Sequence, residues 1–321
     1  MWLEIALVVV GLVLIVVGAN FLTDGASSIA RRFKIPQLII GLTIVAFGTS
    51  APELSVSVLS SIEGNGGIAV GNVIGSNIFN ILLILGICAL IYPIPVHRNS
   101  IRFDIPISIL AAVVMMILLS DSALDGQQSS ITRVEAMILL IFGMLFLGYT
   151  IYMGRQNEEA EEVQYGKKEK HWALSSLLII AGLAGLVYGG GLFVDNASLI
   201  AKRLGVSDTL IGLTLVAWGT STPELATSVV AAIKKNTGIA VGNVIGSNIF
   251  NIFFVLGISG VVHPLENLQF TLLDVWMQLI ATIIAFAMAL FWGKREIKRT
   301  EGVIMLLAFA AYNFILITNA I

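Results

Sequence analysis

Two stretches of this chain are near copies of each other. Residues 41–87 read GLTIVAFGTSAPELSVSVLSSIEGNGGIAVGNVIGSNIFNILLILGI, and residues 212–258 read GLTLVAWGTSTPELATSVVAAIKKNTGIAVGNVIGSNIFNIFFVLGI. They align without a gap at a constant offset of 171, with 33 of 47 positions identical. Each copy sets one carboxylate, Glu53 or Glu224, inside an apolar segment beside a Thr-Ser pair and a proline. An ionisable group at membrane depth is costly and marks a functional site by default. Its duplication strengthens that reading and requires a fold with two equivalent halves.

The setting is apolar throughout. The chain is 57% hydrophobic and 12% charged, with a mean hydropathy of +0.94, whereas a soluble domain carries roughly 25% charged residues. Ten segments are long enough to cross about 30 Å of hydrocarbon: 2–22, 36–61, 68–92, 101–120, 131–153, 173–196, 209–233, 239–262, 270–292 and 301–319. Runs of this length argue for helices, since a barrel needs short alternating strands. The fold class expected is an all-α integral membrane protein of ten transmembrane helices. The first segment lacks the basic start of a signal peptide and carries Glu4. It also matches the start of the second half, NFLTDGASSIARRFK at 20–34 against GLFVDNASLIAKRLG at 191–205, so it is expected to be retained as a span.

One charged linker, GRQNEEAEEVQYGKKEKHW at 154–172, separates five spans from five. The domain reading is a first five-helix repeat over 1–153, a cytoplasmic linker over 154–172 and a second repeat over 173–321, with the paired stretches at 41–87 and 212–258. Basic residues mark the inner side of a membrane. With the N-terminus outside, the inner connections hold 15 of the 18 Lys and Arg residues, and the outer ones hold only Arg133, Lys202 and Arg203. Both termini are therefore expected to face outward. Because five is odd, the second repeat is inverted relative to the first. The divergent turn agrees, with Glu63-Gly64 on the outer side becoming Lys234-Lys235 on the inner. Inverted repeats build alternating-access transporters with a midplane site.

Within the second span, Ala46, Thr49, Ser50 and Glu53 recur at helical spacing on one face. Pro52 cannot donate to the carbonyl of Gly48 and crowds it, so the helix should kink or break there. Carbonyls freed in this way are tolerated at depth where they line a cavity. In the third and eighth spans, Asn72, Ser76, Asn77 and Asn80 match Asn243, Ser247, Asn248 and Asn251. Two carboxylates with hydroxyl, amide and carbonyl oxygens form an all-oxygen site suited to hard cations. Calcium takes 6–8 oxygens at roughly 2.3–2.6 Å, and magnesium, which loses water reluctantly, fits less well. Softer metals would want Cys or His. The lone Cys88 reads as an apolar packing residue, and His97, His171 and His263 fall in or beside polar connections.

Single Ser or Thr residues in membrane helices often bond only their own i−4 carbonyl or a neighbouring helix, and GNVIGS also suits close helix packing. Asp24 and Asp195 lie near span ends and read as interfacial or capping groups. Glu53 and Glu224 differ, because a structural buried glutamate needs a cationic partner and no Lys or Arg lies in the core spans.

The paired GTSxPE and GNVIGSNIFN stretches resemble the α-repeats of the cation/calcium exchanger superfamily, and most closely its prokaryotic sodium/calcium antiporters. The resemblance covers the whole chain. It implies exchange of sodium for calcium by alternating access, with the first and sixth spans sliding past a core bundle. It implies that calcium is held by the carboxylates of Glu53 and Glu224 with backbone oxygens at Thr49 and Thr220. One sodium region would use Ala46, Thr49, Ser50, Glu53 and Ser247, and the other Ala217, Thr220, Ser221, Glu224 and Ser76, with Asn80 and Asn251 lining the middle. Some members of the superfamily, the potassium-dependent branch included, have Asp at the position of Asn251, so Asn there argues against potassium co-transport. The proton-coupled branch typically has GNAxE where this chain has GTSAPE and GTSTPE. The short linker argues against the large calcium-sensing loop of the eukaryotic exchangers.

The reading is therefore an antiporter and not an enzyme, electrogenic and potassium-independent, with a proton/calcium antiporter as the alternative. A calcium-selective channel would need a continuous pore, usually from a symmetric oligomer, and a membrane hydrolase lacks a base beside its hydroxyls. No cofactor is implied beyond the transported calcium and sodium. The partners expected are those two ions and the lipid bilayer of the cell (inner) membrane, with no nucleic acid. A single chain encloses the site, so a monomer is expected.

Overall fold

Where apolar side chains cover nearly every segment, backbone N–H and C=O groups must pair within the segment itself, and the helix is the form that does this. A computed structural model describes residues 2–96, 103–121, 126, 129–156, 170–205, 217–266, 268, 272–288 and 295–320. His97, Arg98, Arg102, Lys294, most of the linker and the start of the seventh span at 209–216 lie outside the described residues.

The chain runs through α1 (Trp2–Phe33), α2 (Gln37–Thr49), α3 (Ala51–Ile62), α4 (Gly66–Ile91), β1 (Ile94–Pro95), α5 (Ile105–Leu118), α6 (Arg133–Gln156) and α7 (Trp172–Arg203). It continues through α8 (Ala217–Gly219), α9 (Thr222–Ile233), α10 (Thr237–Val262), α11 (Leu272–Ala287), β2 (Glu296–Ile297) and α12 (Arg299–Ala320). Among the described residues six helices are long and apolar enough to cross a membrane, or seven if α2 and α3 form one bent span. Helices α5, α9 and α11 are apolar and shorter. Among the described residues the all-helical expectation holds apart from a two-residue antiparallel pairing of β1 with β2 and an isolated bridge between Ile131 and Leu265.

Helices α4 and α10 form the centre. Their most apolar stretches are 72% and 89% buried, against 28% for α1, α6, α7 and α12. The outer helices expose large apolar side chains such as Val13 and Val16 of α1 and Ile141 and Met144 of α6. Such a surface suits lipid, since a monomeric soluble protein rarely presents one so large.

Helix α1 lies against α7 along a glycine seam. A Cβ on Gly11 would stand 2.8 Å from the carbonyl of Gly189, one on Gly18 2.8 Å from that of Gly182, and one on Gly25 2.7 Å from that of Ser175. Without side chains at these positions the two backbones touch, the packing that membrane helices use in place of a hydrophobic driving force.

Contacts sort to two ends of the molecule. At one end, Asp24 pairs with Lys234 at 2.8 Å and Lys170 at 3.9 Å, and Asn236 donates to Ser27 at 2.9 Å. Lys235 lies over the Tyr92 ring nearby, beside the β1–β2 pair. At the other end, Arg203 pairs with Glu4 at 2.7 Å, Ser61 donates to the carbonyl of Ser259 at 2.8 Å, and Ile131 bridges to Leu265.

Candidate functional site: a paired-carboxylate centre

The second span breaks where its proline forces it to. Helix α2 stops at Thr49, Ser50 leaves helical geometry at φ −84°, ψ 10°, and α3 restarts at Ala51 with Pro52 in its first turn, where a missing N–H costs nothing. The two pieces meet at 46°. The break recurs in the second half, with Ser221 at φ −86°, ψ 7° and Pro223 in the first turn of α9. Glu53 and Glu224 thus each sit in the first turn of a helix, where the backbone dipole favours a negative charge.

Both carboxylates are fully buried, and the hydroxyls of the opposite half hold them. Ser50 donates to Oε1 of Glu224 at 2.8 Å, and Ser221 donates to Oε1 of Glu53 at 2.9 Å. A second, longer bond reaches each of the same atoms within its own half, from Ser76 to Glu53 at 3.4 Å and from Ser247 to Glu224 at 3.5 Å. The other oxygen, Oε2, is buried with no hydrogen-bond partner in either carboxylate. Oδ1 of Asn80 and Oδ1 of Asn251 are buried and unpartnered in the same way. A buried acceptor left unpaired costs on the order of 1–3 kcal/mol, more when charged, so four such oxygens in matched positions mark a place built for something else. Among the described residues neither glutamate forms an ion pair, and no group of three or more His, Cys, Asp or Glu occurs.

The structure brings together nearly all the residues singled out in the sequence. Thr49 donates to Oδ1 of Asn243 at 3.1 Å, and Thr220 to Oδ1 of Asn72 at 3.4 Å. The backbone carbonyl of Ala46 accepts from the Ser50 N–H at 3.0 Å and from the Thr49 hydroxyl at 3.3 Å. Ala217 opens α8, and its side chain lies outside the described residues.

Two residues not chosen as site candidates prove to be structural ties. Asn72 donates to the backbone carbonyl of Glu53 at 3.2 Å and to Ser57 at 3.0 Å, and Asn243 repeats this with Glu224 at 3.3 Å and Ser228 at 2.9 Å. Each also accepts from the threonine of the other half, so it fixes a carboxylate-bearing helix to the opposite break. Their identity across the repeats was the available signal. Beyond them α4 and α10 pass into π-helical turns at Phe79–Ile84 and Asn251–Val255. Such turns are rare and frequent at functional sites, and here they carry Asn80 and Asn251.

A helical bundle whose crossed halves hold two buried carboxylates, with free oxygens and, among the described residues, no cation of the protein's own, is a membrane ion carrier. The sodium/calcium exchanger protein family model matches residues 3–152 and 174–318, and the chain belongs to that family, whose members are membrane antiporters and not enzymes. The chain is 38% identical over 316 residues to the inner membrane protein YrbG of Escherichia coli strain K12, covering 96% of this chain and 94% of that one. It is 31% identical over 341 residues to the sodium/calcium exchanger MaX1 of Methanosarcina acetivorans, covering 97% of each. Among solved structures it is similar to the sodium-calcium exchanger NCX_Mj soaked with sodium and calcium, at a TM-score of 0.83 and 32% identity over 96% of this chain and 97% of that one. The chain is accordingly a multi-pass membrane protein.

Proposed function

We propose that this chain exchanges sodium for calcium across the cell membrane by alternating access at the Glu53–Glu224 centre. The observation that carries the reading is the set of four buried, unpartnered oxygens: Oε2 of Glu53 and Glu224, and Oδ1 of Asn80 and Asn251. They are acceptors only, two of them charged, and a hard cation is the ligand such a set satisfies. Calcium would take the two carboxylates with backbone oxygens at Thr49 and Thr220. Sodium would occupy two regions, Ala46, Thr49, Ser50, Glu53 and Ser247, and Ala217, Thr220, Ser221, Glu224 and Ser76. The hydroxyls of Ser50 and Ser247 bring Glu224 to the first, and those of Ser221 and Ser76 bring Glu53 to the second. Membership of the sodium/calcium exchanger family favours sodium over the proton alternative.

The architecture we assign is ten spans in two inverted repeats, 1–153 and 173–321, joined by a cytoplasmic linker at 154–172. Six long helices, one bent pair and three shorter apolar helices follow one another in the order of the ten sequence segments. Reciprocal bonds, Ser50 to Glu224 and Ser221 to Glu53, are what a twofold relation between halves produces. The two sets of end contacts agree with the charge-based sidedness. Asp24, Lys170, Lys234 and Lys235 meet at the end assigned to the cytoplasm, and Glu4 meets Arg203 at the end assigned to the outside. Both termini then face outward, and one chain is sufficient as the transporting unit. Two carboxylates and two neutral asparagines give a potassium-independent and electrogenic exchanger. The test is calcium uptake into proteoliposomes under an imposed sodium gradient, without potassium. Uptake driven by the gradient is expected, and calcium flux indifferent to sodium would defeat the proposal.

A further inference from the structure

Four asparagines meet at the centre of the molecule, and their bonding decides which amide atom of each is engaged and which is left free. Nδ2 of Asn248 donates to the backbone carbonyl of Asn77 at 3.2 Å, and Nδ2 of Asn77 donates to the backbone carbonyl of Asn248 at 3.4 Å. A backbone carbonyl only accepts, so each side chain must turn its NH2 toward it. The Oδ1 atoms of Asn77 and Asn248 are thereby directed the other way. Oδ1 of Asn248 accepts from Nδ2 of Asn80 at 3.0 Å, and Oδ1 of Asn77 accepts from Nδ2 of Asn251 at 3.1 Å. With their NH2 groups engaged, Asn80 and Asn251 are left with their carbonyl oxygens free, and these are two of the four unpartnered acceptors. The oxygen–nitrogen ambiguity of an amide is thus resolved by two main-chain atoms. Asn77, Asn80 and Asn251 are fully buried and Asn248 is 3% exposed, so water cannot compensate a flipped amide.

We infer that Asn77 and Asn248 are positioning residues for ion selectivity: they lock the amides of Asn80 and Asn251 so that only oxygen faces the transported cation. The inference rests on the exchange reading of the site and adds a role for two residues that bear no free oxygen of their own toward the ion. It also explains why neutral asparagine suits position 251. A carboxylate there would have no proton to give the Oδ1 of Asn77, and two acceptors would face each other across a 3.1 Å contact.

Asn248→Ala removes the acceptor that holds the Asn80 amide. In sodium-driven uptake of radioactive calcium by proteoliposomes, the apparent KM for calcium should rise about tenfold while the thermal transition in detergent is retained. The deciding readout is the double-mutant cycle with Asn80→Ala. Once the Asn80 oxygen is absent, Asn248→Ala has nothing to position and should change KM by less than about twofold. Asn77→Ala with Asn251→Ala forms a second, independent cycle, and it carries the test if Asn248→Ala does not fold. Additive effects on KM, or an unchanged KM in a folded single variant, overturn the positioning role while leaving the exchange reading intact. Absence of sodium-dependent uptake in the unmodified protein overturns the exchange reading and this inference together.

Discussion

Ser50 donates its hydroxyl to Glu224 at 2.8 Å, although 174 positions of chain separate them, and the bond is buried. Its counterpart runs from Ser221 to Glu53 at 2.9 Å. Each carboxylate is therefore oriented by the helix break of the opposite half. One oxygen of the carboxylate is occupied, and the other is free.

The carboxylates themselves should be indispensable. Glu53→Gln or Glu224→Gln keeps the size of the side chain and removes half of the formal charge of the site. Calcium exchange in proteoliposomes should fall by about two orders of magnitude or more, equivalent to ~3 kcal/mol, with the thermal transition in detergent preserved. Flux equal to that of the unmodified protein from either variant would contradict the assignment.

Removing one orienting hydroxyl should be milder. Ser50→Ala deletes the shorter of the two bonds to Oε1 of Glu224 and leaves that from Ser247. A hydrogen bond to a charged acceptor is worth about 1.5–3 kcal/mol, so apparent ion affinity should weaken roughly tenfold to a hundredfold. Ser221→Ala should match it from the other half. Measured sodium and calcium competition curves check this, and a large difference between the two variants would argue against equivalent halves.

Protons should inhibit. A proton on the free Oε2 of either glutamate takes the atom a cation needs and cancels one of two charges. Flux at fixed sodium should decline as pH falls and recover as it rises. A flat profile down to about pH 4, below the reference glutamate value of roughly 4.3, would count against carboxylate ligation.

Exchange should carry current. Two carboxylates give −2, calcium neutralises them, and three sodium ions in exchange for one calcium would leave +1. One net charge then moves per turnover, worth roughly 2.3 kcal/mol at 100 mV. An imposed valinomycin potential should shift calcium flux in liposomes. Its failure to do so, with sodium-dependent flux intact, would mean two sodium ions per calcium.

The glycine seam between α1 and α7 should not admit a side chain. At Gly18 a Cβ would lie 2.8 Å from the Gly182 carbonyl and 2.9 Å from the Leu186 amide nitrogen, both main-chain atoms that cannot swing aside. Gly18→Val should cost about 1–3 kcal/mol of stability, read as a lowered thermal transition. Gly148→Ala, where nothing lies within 4 Å, is the matched control and should leave the transition in place.

The sequence by itself determined the helical membrane class, the duplicated halves, the two unpaired glutamates and the break near Pro52. Each of these follows from local chemistry: hydropathy over about twenty residues, identity at a fixed offset, absence of Lys and Arg from the core spans, and a residue without an N–H. Only the tertiary structure decided that Ser50 serves Glu224 and not Glu53, that the break falls at Ser50, and that Asn72 and Asn243 tie the halves together. It alone also decided which amide atoms of Asn80 and Asn251 are free. A hydrogen-bond partner in the other half of the chain leaves no trace in local periodicity, and the π-turns that carry those asparagines have no composition of their own. An amide's direction depends on what its neighbour must do, and here that chain of necessity ends at the backbone carbonyls of Asn77 and Asn248, which meet only once the two halves have packed.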